Sequence, residues 1–222
     1  MSTPIAGVGT VPGARGSAFR LIGVVPASAI NDVVRLAGNG AQGITFRDVA
    51  AVVRPCASRV EPVSDVALLD HHTLVAGLSR SVTVIPAPPL TTFRTAASAL
   101  QWLELHAVAL NDGLAYIDGR VGARVTAVRD VAGATSDPSV LPPSAAAIES
   151  FRALRRYAAA TVPVSSQTVG DGTTIATEAF LVDRVAWDRF AAEVLAEDTR
   201  SPGLILRLTG PWPLYDFVRL QF

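Results

Sequence analysis

The chain ends with LILRLTGPWPLYDFVRLQF, residues 204–222, in which a strand-like apolar run changes into Gly-Pro-Trp-Pro and then becomes aromatic again. Pro211 and Pro213 have no backbone N–H to donate to a sheet, so we expect the last strand to stop near Thr209. The residues that follow are too apolar for a disordered tail, because they would expose a large hydrophobic surface. They are therefore expected to pack on the protein's own body or on another molecule.

Two placements of this terminus are open. In the first, Trp212, Tyr215 and Phe217 fill a groove between two domains and fix their relative angle, because burial of aromatic side chains is strongly stabilising. In the second, part of the terminus is a docking strip for a partner. Both placements can hold together if only Leu220 to Phe222 stay accessible. The first placement predicts that Trp212→Ala lowers the free energy of unfolding by about 3–5 kcal/mol.

The composition favours a globular protein without net charge. The chain has 222 residues, half of them hydrophobic, which is enough for two small domains with their own cores. The 19 basic and 19 acidic side chains balance, and every basic one is an arginine. No basic run is longer than Arg155-Arg156, so the sequence predicts no nucleic-acid partner. No stretch approaches the roughly 18 apolar residues of a membrane helix, so we expect a cytoplasmic protein without a membrane partner.

The residues with catalytic or metal-binding chemistry are few and scattered. Cys56 is the only cysteine and is interpreted as an inert thiol at the end of a strand. His71 and His72 point about 100° apart on a helix and cannot easily reach one ion, so His71 is interpreted as a packed, hydrogen-bonded side chain. The chain has no lysine for a P-loop and no GxSxG motif. We expect no catalytic residue, no cofactor and no metal.

Apolar periodicity predicts the order of the elements. Strands are expected over 18–26, 44–55 (a strand or a hairpin), 82–86, 122–130, 173–182 and 203–209. Helices are expected over 64–79, 92–110 and 144–160, and a fourth is expected to follow an Asp183 cap. Asn111-Asp112-Gly113 is expected to stop the second helix.

These elements predict an α+β fold with two ferredoxin-like α/β sandwich domains and a C-terminal tail packed between or across them. The expected boundaries are a flexible leader over 1–16, an N-terminal α+β domain over 17–117, a C-terminal α+β domain over 118–209 and an aromatic tail over 210–222.

The C-terminal block carries a resemblance to a known family. AFLVDRVAWDRF (179–190) and LILRLTGPWPLYDFV (204–218) resemble the "LVD…F" helix entry and the "LTGPWPPYSFV" ending of the gas vesicle synthesis protein family GvpL/GvpF. RLIGVVP (20–26), DVAAVVRP (48–55) and HHTLVAGL (71–78) are similar to its upstream segments. The matching residues of the ending are Gly210, Pro211, Trp212, Pro213, Tyr215 and Phe217.

The resemblance implies an accessory protein of gas vesicle assembly without catalysis, located in the cytoplasm or on the gas vesicle. Its implied partners are the small hydrophobic main shell protein and other gas vesicle accessory proteins, and the matched residues of the ending are implied to be structural or partner-binding. The chain departs from the family at VIPAPPLT (84–91), which replaces "VLPxRFGT". It also departs at His72, where a glutamate is usual, and at Gly122, where an acidic residue is common.

An RNA- or small-molecule-binding ferredoxin-like module is the alternative function, because such sandwiches also bind RNA on sheet aromatics. The predicted sheets offer few outward aromatics and no basic surround, which disfavours it.

Overall fold

The structure, a computed structural model, describes residues 18–38, 40–56, 64–130, 141–165, 174–218 and 220. The predicted leader over 1–16 lies outside these residues. The described part of the chain is α+β, with five α-helices and nine strands in two antiparallel sheets.

The first sheet has helices on both faces. Its strand order is β2-β3-β1-β4, and the short β5 also pairs with β1. The strands are β1 (Ala18–Pro26), β2 (Gln42–Phe46), β3 (Val49–Cys56), β4 (Ile85–Pro86) and β5 (Thr92–Phe93). The helices are α1 (Ile30–Ala37) and α2 (Asp65–Ser79) on one face and α3 (Ala96–Ile117) on the other.

Strand β3 shows why this sheet is buried on both sides. Val49, Ala51 and Val53 belong to the core under α3, whereas Ala50 and Val52 belong to the core under α1 and α2. A strand whose side chains alternate between two apolar cores has a continuously hydrophobic sequence. The sequence AAVV at 50–53 therefore fixes β3 at the centre of the first half of the protein.

The second sheet has helices on one face. Its strand order is β7-β8-β6-β9, and its helix-covered core includes Val125, Phe180 and Phe190. The strands are β6 (Arg120–Arg129), β7 (Ala160–Val164), β8 (Thr174–Asp183) and β9 (Leu204–Trp212). The helices are α4 (Pro143–Leu154) and α5 (Trp187–Arg200).

Both sheets follow the same chain order, strand-helix-strand-strand-helix-strand, in β1–α1–β2–β3–α2–β4 and in β6–α4–β7–β8–α5–β9. Ferredoxin-like folds share this order. The division into two separate ferredoxin-like domains, with boundaries at 17–117 and 118–209, stays a prediction.

Local signals placed several elements correctly. The predicted first strand, 18–26, matches β1, and the predicted hairpin over 44–55 matches β2 and β3. The predicted helix over 64–79 matches α2, and Ser64 caps it by accepting a hydrogen bond from the Ala67 N–H at 3.2 Å.

Three other predicted boundaries were wrong. Helix α3 begins at Ala96 rather than Thr92, because Thr92 and Phe93 pair with β1. It also runs past the predicted stop to Ile117, since Leu114 and Ile117 continue its buried stripe and Gly113 contacts the core. The strand predicted over 82–86 is reduced to β4.

In the second half, helix α4 ends at Leu154 instead of Ala160, and β7 follows where no strand was predicted. Asp183 makes no capping hydrogen bond; its carboxylate instead accepts from Arg120 Nε at 3.1 Å. Helix α1 was not predicted, although Ile30, Val33 and Ala37 follow helical spacing.

The prediction that the last strand stops near Thr209 was also wrong. Strand β9 continues to Trp212, whose pairing with Gly122 follows an irregularity in the register with β6. Because β9 is at the sheet edge, Pro211 can lie in it without removing a hydrogen bond between two interior strands. The Gly210–Pro211 peptide bond is cis.

Gly23 and Gly77 give a matched test of the packing between β1 and β4. A Cβ at Gly23 would lie 2.7 Å from the Ile85 carbonyl oxygen, so Gly23→Ala has to push β4 away from β1. We expect it to lower the free energy of unfolding by about 1–3 kcal/mol in urea unfolding experiments. Gly77→Ala is the control, because it adds a methyl group to open space on α2 and is expected to stabilise the protein by about 1 kcal/mol. A neutral Gly23→Ala would contradict the close β1–β4 contact.

Candidate functional site

The C-terminal segment, defined as residues 210–218 and 220, joins the two halves of the protein. Leu214 is only 6 % exposed and belongs to the same apolar cluster as Leu114 and Ile117 of α3 and Leu181 of β8. Its side chain also lies next to Gly122 of β6. Leu214 therefore belongs to an apolar cluster that includes both the helix covering the first sheet and a strand of the second, and it lies beside another strand of the second sheet.

The rest of the C-terminal segment adds apolar contacts around this leucine. Tyr215 packs against the core between the first sheet and its two helices α1 and α2. A Cβ at Gly113 would lie 3.3 Å from Val218 Cγ1, so the segment runs directly over α3. Three half-buried residues of the segment pack against the α3 core: Phe217, Val218 and Leu220.

The backbone of the C-terminal segment forms a compact turn. The Phe217 and Val218 N–H groups both donate to the Leu214 carbonyl, at 3.2 and 3.4 Å. Arg124 of β6 donates two hydrogen bonds of 3.0 Å to the carboxylate of Asp216. A bidentate arginine–carboxylate pair fixes orientation as well as distance. This pair fixes the turn against the face of the second sheet that α4 and α5 leave uncovered.

Trp212 is placed differently from the prediction. It is 40 % exposed, so the expectation that it is buried in a groove was wrong. Its Nε1–H donates to Thr209 Oγ1 at 3.1 Å, and its ring lies 5.5 Å from the ring of His72 on α2. The buried members of the segment are instead Pro213 and Leu214.

Gly210 occupies a position that a side chain cannot share. Its φ of 134° lies in the region that favours glycine. A Cβ there would be 2.8 Å from the Gly122 carbonyl oxygen and 2.9 Å from Trp187 Cη2. Pro211, next to it, is exposed.

Polar contacts also connect the two halves of the chain. Arg184, which follows β8, donates to the Ser79 carbonyl at the end of α2 at 2.9 Å. The Thr83 hydroxyl donates to the carboxylate of Asp118, between α3 and β6. Ser79, Thr83 and Arg184 line one small cavity together with Leu214, so polar contacts lie beside the apolar part of the junction.

Tyr215 brings an unusual polar atom into this junction. Its hydroxyl oxygen is buried and has no hydrogen-bond partner among the described residues. Burial raises the pKa of this phenol to about 12. Its ring stacks at 6.2 Å from the ring of His72. The His72 side chain therefore lies beside both Trp212 and Tyr215, a contact that the sequence did not suggest.

The histidines have structural surroundings. His71 is buried, and its Nε2–H donates to the Ala87 carbonyl at 2.9 Å, which confirms the prediction of a packed, hydrogen-bonded side chain. Burial lowers the pKa of His71. His106 Nδ1 lies 2.8 Å from the Trp102 carbonyl one turn earlier on α3. Within the described ranges, no three His, Cys, Asp or Glu residues are grouped to hold a metal ion.

Helix α3 also presents an exposed apolar surface, defined by Leu105 and Val108. These side chains are 80 % and 76 % exposed and lie on the side of the helix away from the first sheet. Glu104 and Asp112 are the only charged residues of the helix. No helix in the described part of the chain combines the length and the apolar character needed to cross a bilayer.

The geometry is that of a two-sheet α+β scaffold whose halves are joined by a folded C-terminal segment. The chain belongs to the family described as gas vesicle synthesis protein GvpL/GvpF, whose model matches residues 21–141 and 143–219. This confirms the resemblance read from the sequence. No curated protein matches the chain significantly.

Two crystal structures share the fold. The gas vesicle protein GvpF from Anabaena sp. PCC7120 superposes with a TM-score of 0.77 at 15% identity, covering 93% of this chain and 98% of that one. GvpF from Microcystis aeruginosa gives a TM-score of 0.71 at 14% identity, covering 92% of this chain and 100% of that one. At this identity the likeness concerns the fold, which is retained over nearly the whole length of each chain.

The burial of the C-terminal segment predicts that Leu214→Ala is more destabilising than Trp212→Ala, which is the opposite of the order expected from side-chain size. Leu214→Ala removes the side chain that fills the junction and is expected to lower the free energy of unfolding by about 2–5 kcal/mol. Trp212→Ala is expected to cost less, because much of its ring is already in water. Urea unfolding measures both, with the exposed Leu195→Ala as control. A larger loss for Trp212→Ala than for Leu214→Ala would contradict this placement.

The raised pKa of Tyr215 predicts that the stability of the protein falls at alkaline pH. Its pKa is about 12 in the folded protein and close to 10 in the unfolded chain, so stability is present below about pH 10 and is lost as the pH rises towards 12. Tyr215→Phe has no phenol to ionise, so the variant is expected to become more stable relative to the parent as the pH rises. It also removes an unpartnered buried hydroxyl, which favours the variant at every pH. Melting temperatures from pH 8 to 11 measure it, and the exposed Tyr116→Phe should follow the parent. Parallel curves for Tyr215→Phe and the parent would exclude the effect.

Proposed function

We propose that this protein is a non-enzymatic accessory factor of gas vesicle assembly that binds the main hydrophobic shell protein and keeps it competent to assemble. Family membership supports the gas vesicle role. The observation that carries the binding role is the exposed apolar surface of α3, since contiguous exposed apolar residues mark interaction sites. In this proposal the protein acts in the cytoplasm and on the gas vesicle, with other accessory proteins as further partners.

Helix α3 supports this proposal because it is apolar on two sides. One side is buried against the first sheet and the C-terminal segment through Leu103, Leu110 and Leu114. The other exposes Leu105 and Val108 to solvent. An apolar patch that stays exposed on such a helix is expected to be covered by a partner.

The chemistry of the surface fits an apolar partner that carries positive charge. Leu105 and Val108 would contact its apolar side chains, and the carboxylates of Glu104 and Asp112 would face its basic ones. Shell subunits with unpaired apolar strands aggregate unless another surface covers them. A rigid helix face would cover such a strand without a conformational change.

In this function the C-terminal segment has a structural role. We assign Gly210, Pro211, Trp212, Pro213, Tyr215 and Phe217 to the joint that holds two ferredoxin-like domains at a fixed angle. Leu214 and the Arg124–Asp216 pair support this role, because they connect α3 with the second sheet. The joint sets the position of α3 relative to the rest of the binding surface.

The structural roles of the histidines support the absence of catalysis. His71 and His106 are engaged with backbone carbonyls. Cys56 lies at the end of β3 and is a free thiol.

The alternative of an RNA-binding module has less support. The first sheet is covered on both faces, so it offers no open platform for bases. In the described strands of the second sheet, the aromatic residues are Phe180, packed under the helices, and Trp212. RNA-binding sheets of this type stack bases on two or three exposed aromatics.

The proposal predicts that two charges placed on the apolar surface of α3 strongly weaken shell-protein binding. Tagged protein is co-expressed with the main gas vesicle shell protein, and the amount of shell protein retained on the affinity resin is measured. The double substitution Leu105→Glu and Val108→Glu places carboxylates on the apolar surface and is expected to reduce retention at least tenfold. Because both side chains are exposed, the melting temperature should change little.

The matched control places two glutamates on exposed apolar positions elsewhere, Val185→Glu and Leu195→Glu. It should retain as much shell protein as the parent. Equal retention by the α3 variant and the control would exclude α3 as the binding surface. No retention by the parent would overturn the proposal that the shell protein is the partner.

A further inference from the structure

Strand β2 forms a free edge of the first sheet. It stands at one end of the order β2-β3-β1-β4, so it pairs with a strand on one side only. Outside its ladder with β3, it makes no backbone hydrogen bond to any described residue. A free edge of this kind offers a row of N–H and C=O groups to which another strand can bind.

The two-residue turn after Phe46 shows which groups of β2 point outwards. Phe46 pairs with Val49 across this turn. The pair that closes such a turn is hydrogen-bonded, and bonded and non-bonded pairs then alternate along an antiparallel ladder. Every second residue counted back from Phe46 therefore bonds to β3. The N–H and C=O groups of Gly43 and Thr45 point away from it, and both residues are exposed.

The other sheet edges are protected against the addition of a strand. In the first sheet, β4 and β5 have only two residues each. In the second sheet, the edge strands β7 and β9 contain Pro163 and Pro211. Short strands and prolines hinder edge-to-edge pairing. Strand β2, with the sequence QGITF, has neither protection and no charged residue, so within the described sheets its edge alone lacks these devices.

The free edge of β2 lies beside the exposed apolar surface of α3. Val108 lines an open cavity of about 160 Å³ together with Ala107 and Phe46, between α3 and the turn that follows β2. Leu105 lies one turn earlier on the same side of α3. Ile44 and Phe46 point towards the α3 core. A strand added to β2 would therefore direct every second side chain to the side of the sheet where Leu105 and Val108 are exposed.

The charges around this edge favour a strand with basic flanks over a second copy of the chain. Helix α3 carries Glu104 and Asp112 and no basic residue. The cavity is lined by Arg47, Asp48 and Asp112, so its charge is negative overall. Antiparallel pairing of two copies through β2 would set two acidic α3 helices side by side, whereas basic flanks would neutralise them.

We propose that β2 accepts an added β-strand, so that an extended apolar segment of the partner pairs its backbone with Gly43 and Thr45 and packs its side chains on Leu105 and Val108. This inference rests on the proposed function, in which the segment belongs to the shell protein. Backbone hydrogen bonds supply affinity in this mode of recognition, and the side chains of α3 select an apolar segment.

Amide hydrogen exchange tests the backbone pairing directly. The complex of the protein with co-expressed shell protein is purified and exchanged into D₂O, and the remaining amide protons are recorded by NMR after dissolution in an aprotic solvent. Gly43 and Thr45 are expected to exchange at least tenfold more slowly in the complex than in the free protein, because new hydrogen bonds protect them. Ile44 and Phe46, which already bond to β3, are the internal reference and should slow less.

Substitutions of Thr45 separate its backbone from its side chain. Thr45→Pro removes the outward N–H without removing a hydrogen bond to β3, and it is expected to reduce retention of the shell protein at least tenfold. Thr45→Ala keeps the N–H and is the matched control, which should retain as much shell protein as the parent. If the melting temperature shows that Thr45→Pro does not fold, the exchange rates of Gly43 and Thr45 decide alone.

The outcomes distinguish this inference from the proposed function. Retained shell protein without slower exchange at Gly43 and Thr45 overturns strand addition and leaves the proposed function standing, as does equal retention by folded Thr45→Pro and Thr45→Ala. No retention by the parent overturns both. Slower exchange of the same amides in the absence of shell protein, as the protein concentration rises, would assign the edge to a second copy and would also overturn the inference.

Discussion

The apolar cluster that Leu214 shares with α3 and with Leu181 of β8 is the constraint on which the arrangement of the two sheets depends. Each sheet has its own helix-covered core, but α3 belongs to the first sheet and Leu181 to the second. Leu214 fills the space between them, and the Arg124–Asp216 pair orients the turn that carries it. Apolar burial supplies most of the stabilisation, because the charged pair is partly exposed and such pairs contribute little.

This contact also explains how much of the site could be predicted from the sequence. The proline-broken aromatic terminus correctly indicated a folded segment. Size alone then suggested that Trp212 would be its buried anchor, whereas the structure buries Leu214. Which residue of a turn faces inward is decided by residues distant in the sequence, such as Leu114 and Leu181, and no local pattern contains that information.

The fold was predictable where local signals and tertiary packing agree. Strand β1 and helix α2 have clear alternation and a serine cap, and their predicted bounds match. Helix α3 was mispredicted at both ends, because packing overrides local preference there. Thr92 and Phe93, where the helix was predicted to begin, pair with β1 instead. Gly113, normally a stop signal, lies against Ile85 and Val218 where a small residue fits. The neighbouring placement of Arg20 and Arg54 could not be found from the sequence, since it depends on the register of β1 with β3.

The close approach of Gly122 and Gly210 has an evolutionary consequence. A side chain at Gly210 would strike the Gly122 carbonyl, and one at Gly122 would crowd the Trp212 carbonyl at 3.1 Å. The two positions therefore differ in what they tolerate: a side chain at 122 needs a shift of only a few tenths of an ångström, whereas one at 210 meets both a backbone oxygen and an unfavourable φ of 134°. Position 122 is therefore expected to accept other residues in evolution, whereas position 210 is expected to stay glycine.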